Sequence, residues 1–224
     1  MVIEMIISNK EITIYPACNA GSPLVILNSF GDEGETVREE LRKMRTADFA
    51  LASIKITDWN SDLTPWAIPP VYKNDDPFTG GADAYLETLT GEIVPAIIAE
   101  LGSKPSYIAL SGYSLAGLFA VYAMFRTKMF SRIASTSGSL WYPGFMYYAK
   151  SHELAALPEK LYLSLGNKEA QTRNQIMAKV EQNTGDIHEY YQSLGIDTFF
   201  ELNEGNHFKD AGLRIAKAIT WITD

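Results

Sequence analysis

The chain has 224 residues, of which 46% are hydrophobic and 21% are charged, proportions that are ordinary for a soluble globular protein. Its formal net charge is −8 and it has no basic block, which argues against nucleic acid and anionic membrane surfaces as partners because phosphate binding needs clustered Lys and Arg. No uninterrupted apolar run approaches the roughly 18 residues that a membrane-spanning helix needs.

The amino-terminal residues and the cysteine content bear on compartment and cofactors. The start, MVIEMIISNKEITIYP, carries Glu4 and has no basic region ahead of a long apolar stretch, so no signal peptide is expected and the cytoplasm is the expected location. Cys18 is the single cysteine, so neither an internal disulfide nor a metal site built from several thiolates is expected.

Short apolar segments of strand length alternate with helical segments along the chain. In chain order, the segments that read as strands are EMIIS, EITIYPA, PLVILNSF, DFALASIKI, YIALSG, the start of FSRIASTSGSLWYPG, KLYLSLG and DTFFELNEGNHF. The segments that read as helices are DEGETVREELRKM, ADAYLETLTGEIVPAIIAEL, the small-residue run after YIALSG, TRNQIMAKVEQNTGDIHEYYQSL and DAGLRIAKAITWIT. In the second of these, Leu86, Leu89, Ile93 and Ile97 share one face, and Pro95 is expected to kink the helix or limit its regularity.

This alternation predicts an α/β fold. Continuous apolar strands are buried on both faces, which indicates a mostly parallel central sheet with helices on both faces. A loop insertion near the functional edge of the sheet is predicted at residues 57–83. This segment is rich in proline and aromatic residues and contains TDWNSDLTPWAIPPVYKNDDPFTGG. We expect a single domain over residues 1–224, with that insertion.

A serine stands where the strand YIALSG turns into a helix. In Gly112-Tyr113-Ser114-Leu115-Ala116 the positions two before and two after Ser114 are small, as a tight strand-to-helix turn requires. Such a turn would lift the hydroxyl above the carboxyl edge of the sheet at the positive end of a helix. Ser114 is therefore a candidate nucleophile, although a serine at this spacing also occurs by chance.

A serine nucleophile needs a base, and histidine is suited to that role near neutral pH. His207 lies in a glycine-containing loop after the last strand, from which its side chain can reach back over the sheet edge. His152 and His188 lie in segments that read as helices or helix starts, where surface placement accounts for them. His207 is the favoured base.

The base in turn needs a carboxylate that holds its tautomer. Glu169 follows the strand KLYLSLG at the same sheet edge and gives the chain order Ser, acid, His that is typical of α/β-hydrolases. The weaker alternatives are Asp186, Asp197 and Glu204, and Glu169 could also be a solvated loop acid paired with Lys168 or Arg173.

Backbone N–H groups at the turn could stabilise an oxyanion. The N–H of Leu115 would point at the space above Ser114. A second donor should come from the turn after PLVILNSF, where the N–H of Phe30 is better placed than that of Ser29.

With these residues assembled, the chain resembles the putative-esterase branch of the α/β-hydrolase superfamily, which includes esterase D-like, feruloyl, acetyl and siderophore esterases. The resemblance runs from LVILNSFGDEGE to EGNHF and includes DLTPW, GGADAYLETLTGEIVPAI, GYSLAGLFAVYA, SGSLWYPGF and SLGNKEAQTRN, with Ala116 where glycine is usual in the elbow. It implies Ser114 as nucleophile, His207 as base and Glu169 as acid, acyl transfer through an acyl-enzyme, no metal and no organic cofactor.

The aromatic loops are the clue to substrate. Trp66, Trp141 and Tyr142, together with Trp59, Phe78 and Phe145, could line a pocket for a small or aryl ester, or could form a lid that packs on itself. The expected partner is a small-molecule ester, and the sequence says nothing about oligomeric state. The alternatives are an acyltransferase or peptidase with the same triad, a siderophore-ester hydrolase, and a binding module that retains the fold without catalysis.

Overall fold

The computed structural model describes residues 2–73 and 75–224, so residues 1 and 74 of the predicted domain lie outside the described residues. Its strands are β1 (Ile3–Ile7), β2 (Lys10–Tyr15), β3 (Leu24–Ser29), β4 (Ala50–Lys55), β5 (Ala67–Ile68), β6 (Phe78–Thr79), β7 (Ile108–Tyr113), β8 (Arg132–Thr136), β9 (Lys160–Gly166) and β10 (Asp197–Asn203). Its α-helices are α1 (Glu33–Lys43), α2 (Trp59–Asp62), α3 (Ala82–Thr88), α4 (Val94–Leu101), α5 (Leu115–Arg126), α6 (Phe145–Ser151), α7 (Val180–Ser193) and α8 (Ala211–Thr223).

Eight of these strands form one sheet in the order β1-β2-β4-β3-β7-β8-β9-β10. The run from β4 to β10 is parallel, whereas β1 and β2 form an antiparallel hairpin whose second strand pairs antiparallel with β4. The predicted α/β fold with a mostly parallel sheet is therefore confirmed. Parallel pairing brings the carboxyl ends of β3, β7, β8, β9 and β10 to one edge of the sheet, and the candidate site residues follow those ends.

Side chains of the central strands alternate between two hydrophobic clusters, one on each face of the sheet. In β3, Leu24 and Ile26 belong to the first cluster, and Val25 and Leu27 to the second. Helices cover both faces: the second cluster contains residues of α1 and α8, and the first contains residues of α3, α4, α5, α6 and α7. Every residue of α5 except Arg126 is buried, which explains why its sequence is apolar around the whole helix.

The helical segment that contains Pro95 is irregular, as the sequence predicts. A π-helical turn, Leu89–Ile93, separates α3 from α4, and Pro95 lies in the first turn of α4, where its missing N–H is tolerated. Leu86, Leu89, Ile93 and Ile97 are all buried, so the predicted apolar face is confirmed.

The helix predicted from Thr172 onward begins later than expected. A short 3₁₀ turn, Met177–Lys179, precedes α7, and the segment before it is not helical. Asn174 sets this later start as a helix cap: its side-chain oxygen accepts the N–H groups of Ile176 (3.0 Å) and Met177 (3.3 Å), and its carbonyl accepts the Ala178 N–H (2.9 Å).

The aromatic insertion has some regular structure of its own. Within residues 57–83 lie α2 and the small antiparallel pair of β5 and β6. Thr64 ties the segment together, because its hydroxyl accepts the Gly80 N–H at 3.1 Å and its carbonyl accepts the Ala82 N–H at 3.1 Å. In the part of the chain that the structure describes, no helix is long and apolar enough to cross a bilayer.

Candidate active site

Ser114 occupies the sharp turn between β7 and α5. Its backbone angles are φ 58° and ψ −121°, a combination that residues other than glycine rarely adopt. Close packing makes the turn possible: a Cβ on Gly112 would lie 2.4 Å from the backbone carbonyl of Ala116, and one on Gly117 would lie 2.9 Å from the Cα of Gly138. Small residues around the serine are therefore a steric requirement, and the turn stores strain that is typical of a functional site.

His207 lies beside the serine, in the loop that joins β10 to α8. Its Nε2 is 3.1 Å from the Ser114 Oγ, and its backbone carbonyl accepts a 2.6 Å hydrogen bond from the Tyr113 hydroxyl. The other histidines lie elsewhere: His152 is exposed at the end of α6, stacked on Tyr148, and His188 lies within α7 against Phe200. The structure thus brings the favoured histidine, and neither of the other two, to Ser114.

Glu169 follows β9 and completes a line of hydrogen bonds. Its Oε2 is 2.8 Å from the His207 Nδ1. The alternative acids lie apart from this histidine's ring: the Glu204 side chain is 81% exposed and pairs with Lys209, Asp186 pairs with Lys150 from inside α7, and Asp197 starts β10. The three predicted residues Ser114, His207 and Glu169 are therefore in hydrogen-bond contact.

The Glu169 carboxylate is buried among contacts that favour its ionised form. Burial by itself would raise its pKa, but the hydrogen bond to His207 and the charge of that residue, with hydrogen bonds from the Gly166 N–H and the Ser137 hydroxyl, hold the pKa of Glu169 below its ordinary value. A carboxylate that stays charged at neutral pH can orient the imidazole and stabilise it when it takes a proton.

The two candidate oxyanion donors differ in their surroundings. Leu115 is the first residue of α5, so its N–H has no acceptor within the helix and is free to point above Ser114. Phe30 follows β3, and the pairing of Asn28 with Gly112 brings it level with Ser114. Its N–H is donated to the Glu33 carboxylate at 2.8 Å, so Glu33 would have to be displaced before Phe30 could act as the predicted second donor.

Glu33 therefore competes with any oxyanion for the Phe30 N–H. Burial, only partly opposed by the Phe30 hydrogen bond, raises the pKa of Glu33. If Phe30 serves as a donor, the Glu33→Gln variant should raise kcat about fivefold, because a neutral acceptor is displaced more easily, by about 1 kcal/mol, and adds no charge next to the oxyanion. Steady-state hydrolysis of p-nitrophenyl acetate measures this.

The matched control for Glu33 is Glu35→Gln, which removes an exposed charge from the same first turn of α1. Glutamine at position 33 can still cap the turn, so the fold should be retained. An unchanged or lower kcat in Glu33→Gln would remove Phe30 from the set of oxyanion donors.

The aromatic residues divide into a packed group and one cavity residue. The Tyr142 side chain is 1% exposed and its hydroxyl donates to the Trp66 carbonyl at 2.6 Å, while Trp66 Nε1 donates to the Pro143 carbonyl at 3.0 Å. These two rings pack against each other and with Phe145, and neither of them lines the cavity at Ser114. Their role in substrate binding stays a prediction. Trp141 alone of the three predicted rings borders the cavity at Ser114.

That cavity is small, with a volume of about 80 Å³. Its lining combines the three hydrogen-bonded residues with two further serines and three apolar side chains: Ser114, Ser137, Ser139, Trp141, Glu169, Met177, Val180 and His207. Ser139 Oγ lies 3.4 Å from Ser114 Oγ. In residues 2–73 and 75–224, no group of three or more His, Cys, Asp or Glu side chains is arranged to hold a metal ion.

Several site residues were missed by sequence reasoning. Ser137 and Ser139 belong to the small-residue run STSGS at the end of β8, and Arg214 is a basic residue beside the apolar positions of α8. Both patterns indicate a functional role: the serines are small polar residues at the carboxyl end of a parallel strand, and the arginine is a charged residue on a helix face that should be buried. Met177 and Val180 carry no such signal, because they look like ordinary core positions.

Known proteins resemble this chain in sequence and in structure. Uncharacterized protein YbbA of Bacillus subtilis (strain 168) is 23% identical over 199 residues, which cover 84% of this chain and 80% of YbbA. The siderophore hydrolase EstA from Aspergillus nidulans has a similar structure, with a TM-score of 0.77, 20% identity, and coverage of 100% of this chain and 93% of EstA.

A further similar structure is an IroE-like serine hydrolase from Shewanella oneidensis, with a TM-score of 0.79, 18% identity, and coverage of 95% of this chain and 75% of the other. At these identities the structural likeness shows the fold. The family assignment comes from the Putative esterase family, whose sequence profile matches residues 15–207, a range that includes Ser114, Glu169 and His207. The chain therefore belongs to the Putative esterase family, an esterase branch of the α/β-hydrolase superfamily.

Proposed function

We propose that this esterase is a serine carboxylic-ester hydrolase that acts through an acyl-enzyme on Ser114. The observation that carries the proposal is the continuous hydrogen-bond line from the Ser114 Oγ to His207 Nε2 (3.1 Å) and from His207 Nδ1 to Glu169 Oε2 (2.8 Å). This line lies at the strained turn where α5 begins, so the hydroxyl has a base, the base has an acid, and a helix amino terminus faces the developing charge.

In the acylation step, the Ser114 Oγ attacks the ester carbonyl carbon while His207 Nε2 takes the hydroxyl proton. The ionised Glu169 stabilises the imidazolium that results. The negative charge that forms on the carbonyl oxygen is stabilised by the Leu115 N–H, and by the Phe30 N–H once Glu33 releases it. The tetrahedral intermediate then expels the alcohol, which receives its proton from His207.

Deacylation uses the same groups in reverse order. Water takes the place of the alcohol, His207 Nε2 removes one of its protons, and the hydroxide oxygen attacks the acyl carbon. Collapse of the second intermediate releases a carboxylic acid and returns the proton to Ser114. Every proton in this cycle is held by His207 or by the reacting oxygens, so the proposed cycle uses no cofactor.

The lining of the cavity supports small or aryl ester substrates. Trp141, Met177 and Val180 give apolar walls to this cavity of about 80 Å³ beside Ser114. The partner that we propose is accordingly a small-molecule ester. p-Nitrophenyl acetate and short p-nitrophenyl esters are the first substrates to test.

Labelling with a fluorophosphonate tests the proposal directly. The expected result is one covalent adduct per chain, mapped by peptide mass spectrometry to Ser114, with loss of p-nitrophenyl acetate hydrolysis in proportion to the labelled fraction. Ser137 and Ser139 are internal controls, because both border the same cavity without the hydrogen bond to His207 Nε2 that Ser114 makes.

Two results would overturn the proposal. An adduct mapped to Ser139 would move the nucleophile to a different residue. Absence of an adduct, together with absence of ester turnover, would favour a binding protein that retains the hydrolase fold.

A further inference from the structure

Arg214 is a buried charge that the proposed reaction does not itself use. It lies in α8 with 1% of its surface exposed, beside Ile215 and Ala216, which are fully buried. A buried guanidinium is costly unless its donors are paired. Its Nε–H has no hydrogen-bond acceptor in residues 2–73 and 75–224, so one donor of this buried guanidinium stays unpaired.

The two terminal nitrogens of Arg214 contact two different loops. Nη1 donates to the Glu169 Oε1 at 3.1 Å. Nη2 donates to the backbone carbonyls of Glu204 and Asn206, each at 3.0 Å, which lie three residues and one residue before His207. One rigid, planar group therefore bridges the loop that carries the acid and the loop that carries the base.

Arg214 is one of three donors that hold the same carboxylate oxygen. Glu169 Oε1 also accepts the Ser137 hydroxyl at 2.7 Å and the Gly166 N–H at 2.6 Å, which leaves Oε2 directed at His207 Nδ1. The fit is close, since a Cβ on Gly166 would lie 2.9 Å from Arg214 Nη2. The carboxylate consequently cannot rotate away from the histidine without breaking several hydrogen bonds.

The loop of the histidine is held from both sides. Arg214 binds the carbonyl of Asn206, and the Tyr113 hydroxyl donates to the carbonyl of His207 itself. Nη1 also lies 3.4 Å from that hydroxyl oxygen, so the two holding groups contact each other.

We propose that Arg214 is a positioning residue that fixes Glu169 and the His207 loop relative to each other, and so sets the hydrogen bond between the acid and the base. This inference rests on the proposed triad. Its positive charge also balances the buried carboxylate, whose side chain is 4% exposed, so that Glu169 can stay ionised.

Two variants test the inference. Arg214→Met removes the charge and both bridges, and Arg214→Lys keeps the charge but has a single nitrogen that cannot serve both loops. We expect kcat for p-nitrophenyl acetate to fall about 100-fold in Arg214→Met, the effect of a misplaced catalytic group, with KM changed less than threefold. Arg214→Lys should recover part of the loss.

The matched control is Arg132→Met. Arg132 also pairs with a glutamate, Glu159 at 3.0 Å, and binds a backbone carbonyl, that of Ile222 at 2.8 Å, but it lies at the start of β8, on the opposite edge of the sheet. We expect this variant to keep the kcat of the wild type. Thermal melts of all variants report any general loss of stability.

A second readout does not depend on turnover. The proton between His207 Nδ1 and Glu169 gives a low-field ¹H NMR resonance, which should be present in the wild type and in Arg132→Met and lost or broadened in Arg214→Met. In addition, the double variant Glu169→Gln/Arg214→Met should lose no more activity than the worse of the two single variants, because both act through one hydrogen bond.

The outcomes separate the two proposals. If folded Arg214→Met keeps the wild-type kcat and the low-field resonance, or if the losses in the double variant add, Arg214 is only a structural residue and the proposed hydrolase stands. If Ser114 is not the labelled residue, the proposed function fails, and the resonance still decides whether Arg214 positions Glu169. Should Arg214→Met fail to fold, Arg214→Lys is judged by the same kcat and resonance.

Discussion

Replacing Ser114 by alanine is expected to reduce p-nitrophenyl acetate hydrolysis by about 10⁴- to 10⁶-fold, because no acyl-enzyme can form without the Oγ. What remains is the slow attack of water beside the oxyanion donors. The variant should fold, since Ala has the backbone requirements of Ser. Steady-state kinetics with active-site titration measures the loss, and fluorophosphonate labelling of the same sample should disappear with it.

A second substitution at this position separates catalysis from strain. With φ at 58° and ψ at −121°, residue 114 has a backbone conformation that costs L-residues about 1–3 kcal/mol and glycine much less. Ser114→Gly should therefore be as inactive as Ser114→Ala but melt at a higher temperature than Ser114→Ala. Substantial activity in either variant would remove Ser114 as the nucleophile, whatever the melting temperatures.

Replacing His207 by alanine is expected to reduce kcat by several orders of magnitude, approaching the loss in Ser114→Ala. The two residues act as a unit: without the imidazole 3.1 Å away, the serine hydroxyl keeps its proton and the leaving alcohol receives none. The double variant Ser114→Ala/His207→Ala should accordingly be no worse than the poorer single variant. The measurement is kcat/KM for p-nitrophenyl acetate.

His152→Ala is the matched control for the histidine, because His152 is exposed at the end of α6 and its ring stacks on Tyr148 at 4.0 Å. It should retain wild-type kcat. Fluorophosphonate labelling of His207→Ala should slow together with hydrolysis, since both reactions need the same activated oxygen. Rapid labelling and full turnover in His207→Ala would show that another group removes the proton.

Much of the fold could be predicted because its signals are local. Apolar runs such as PLVILNSF and KLYLSLG are buried on both faces of a sheet, and the alternation of strands with helices predicts parallel pairing. The start of a helix depends on its cap as well as on periodicity: Asn174 binds the N–H groups of Ile176 and Met177, so helical structure begins after Asn174 and not at Thr172.

The candidate triad could also be predicted, because each member follows a strand at the same edge. In a parallel sheet the residues after β7, β9 and β10 meet there, so Ser114, Glu169 and His207 become neighbours although 93 residues separate the first from the last. The requirement for small residues at Gly112 and Ala116 can likewise be predicted from the sequence, because the two positions that contact each other are only four residues apart.

The supporting contacts could not be predicted in this way. Arg214 and Glu169 are 45 residues apart in the chain, and the sequence of α8 does not predict which buried group the guanidinium contacts. The same holds for the packing of Tyr142 on Trp66 and for the hydrogen bond from the Tyr142 hydroxyl to the Trp66 carbonyl.

The α/β architecture and the tight serine turn follow from the amino-acid sequence, because hydrophobic periodicity and backbone sterics act between residues near each other in the chain. The side chains that hold Glu169, the aromatic ring that reaches the cavity and the contact of Glu33 with the Phe30 N–H follow only from the packing of distant elements. These depend on the rotamers that side chains adopt when separate elements pack, and on the requirement that every buried charge find partners wherever the fold brings them.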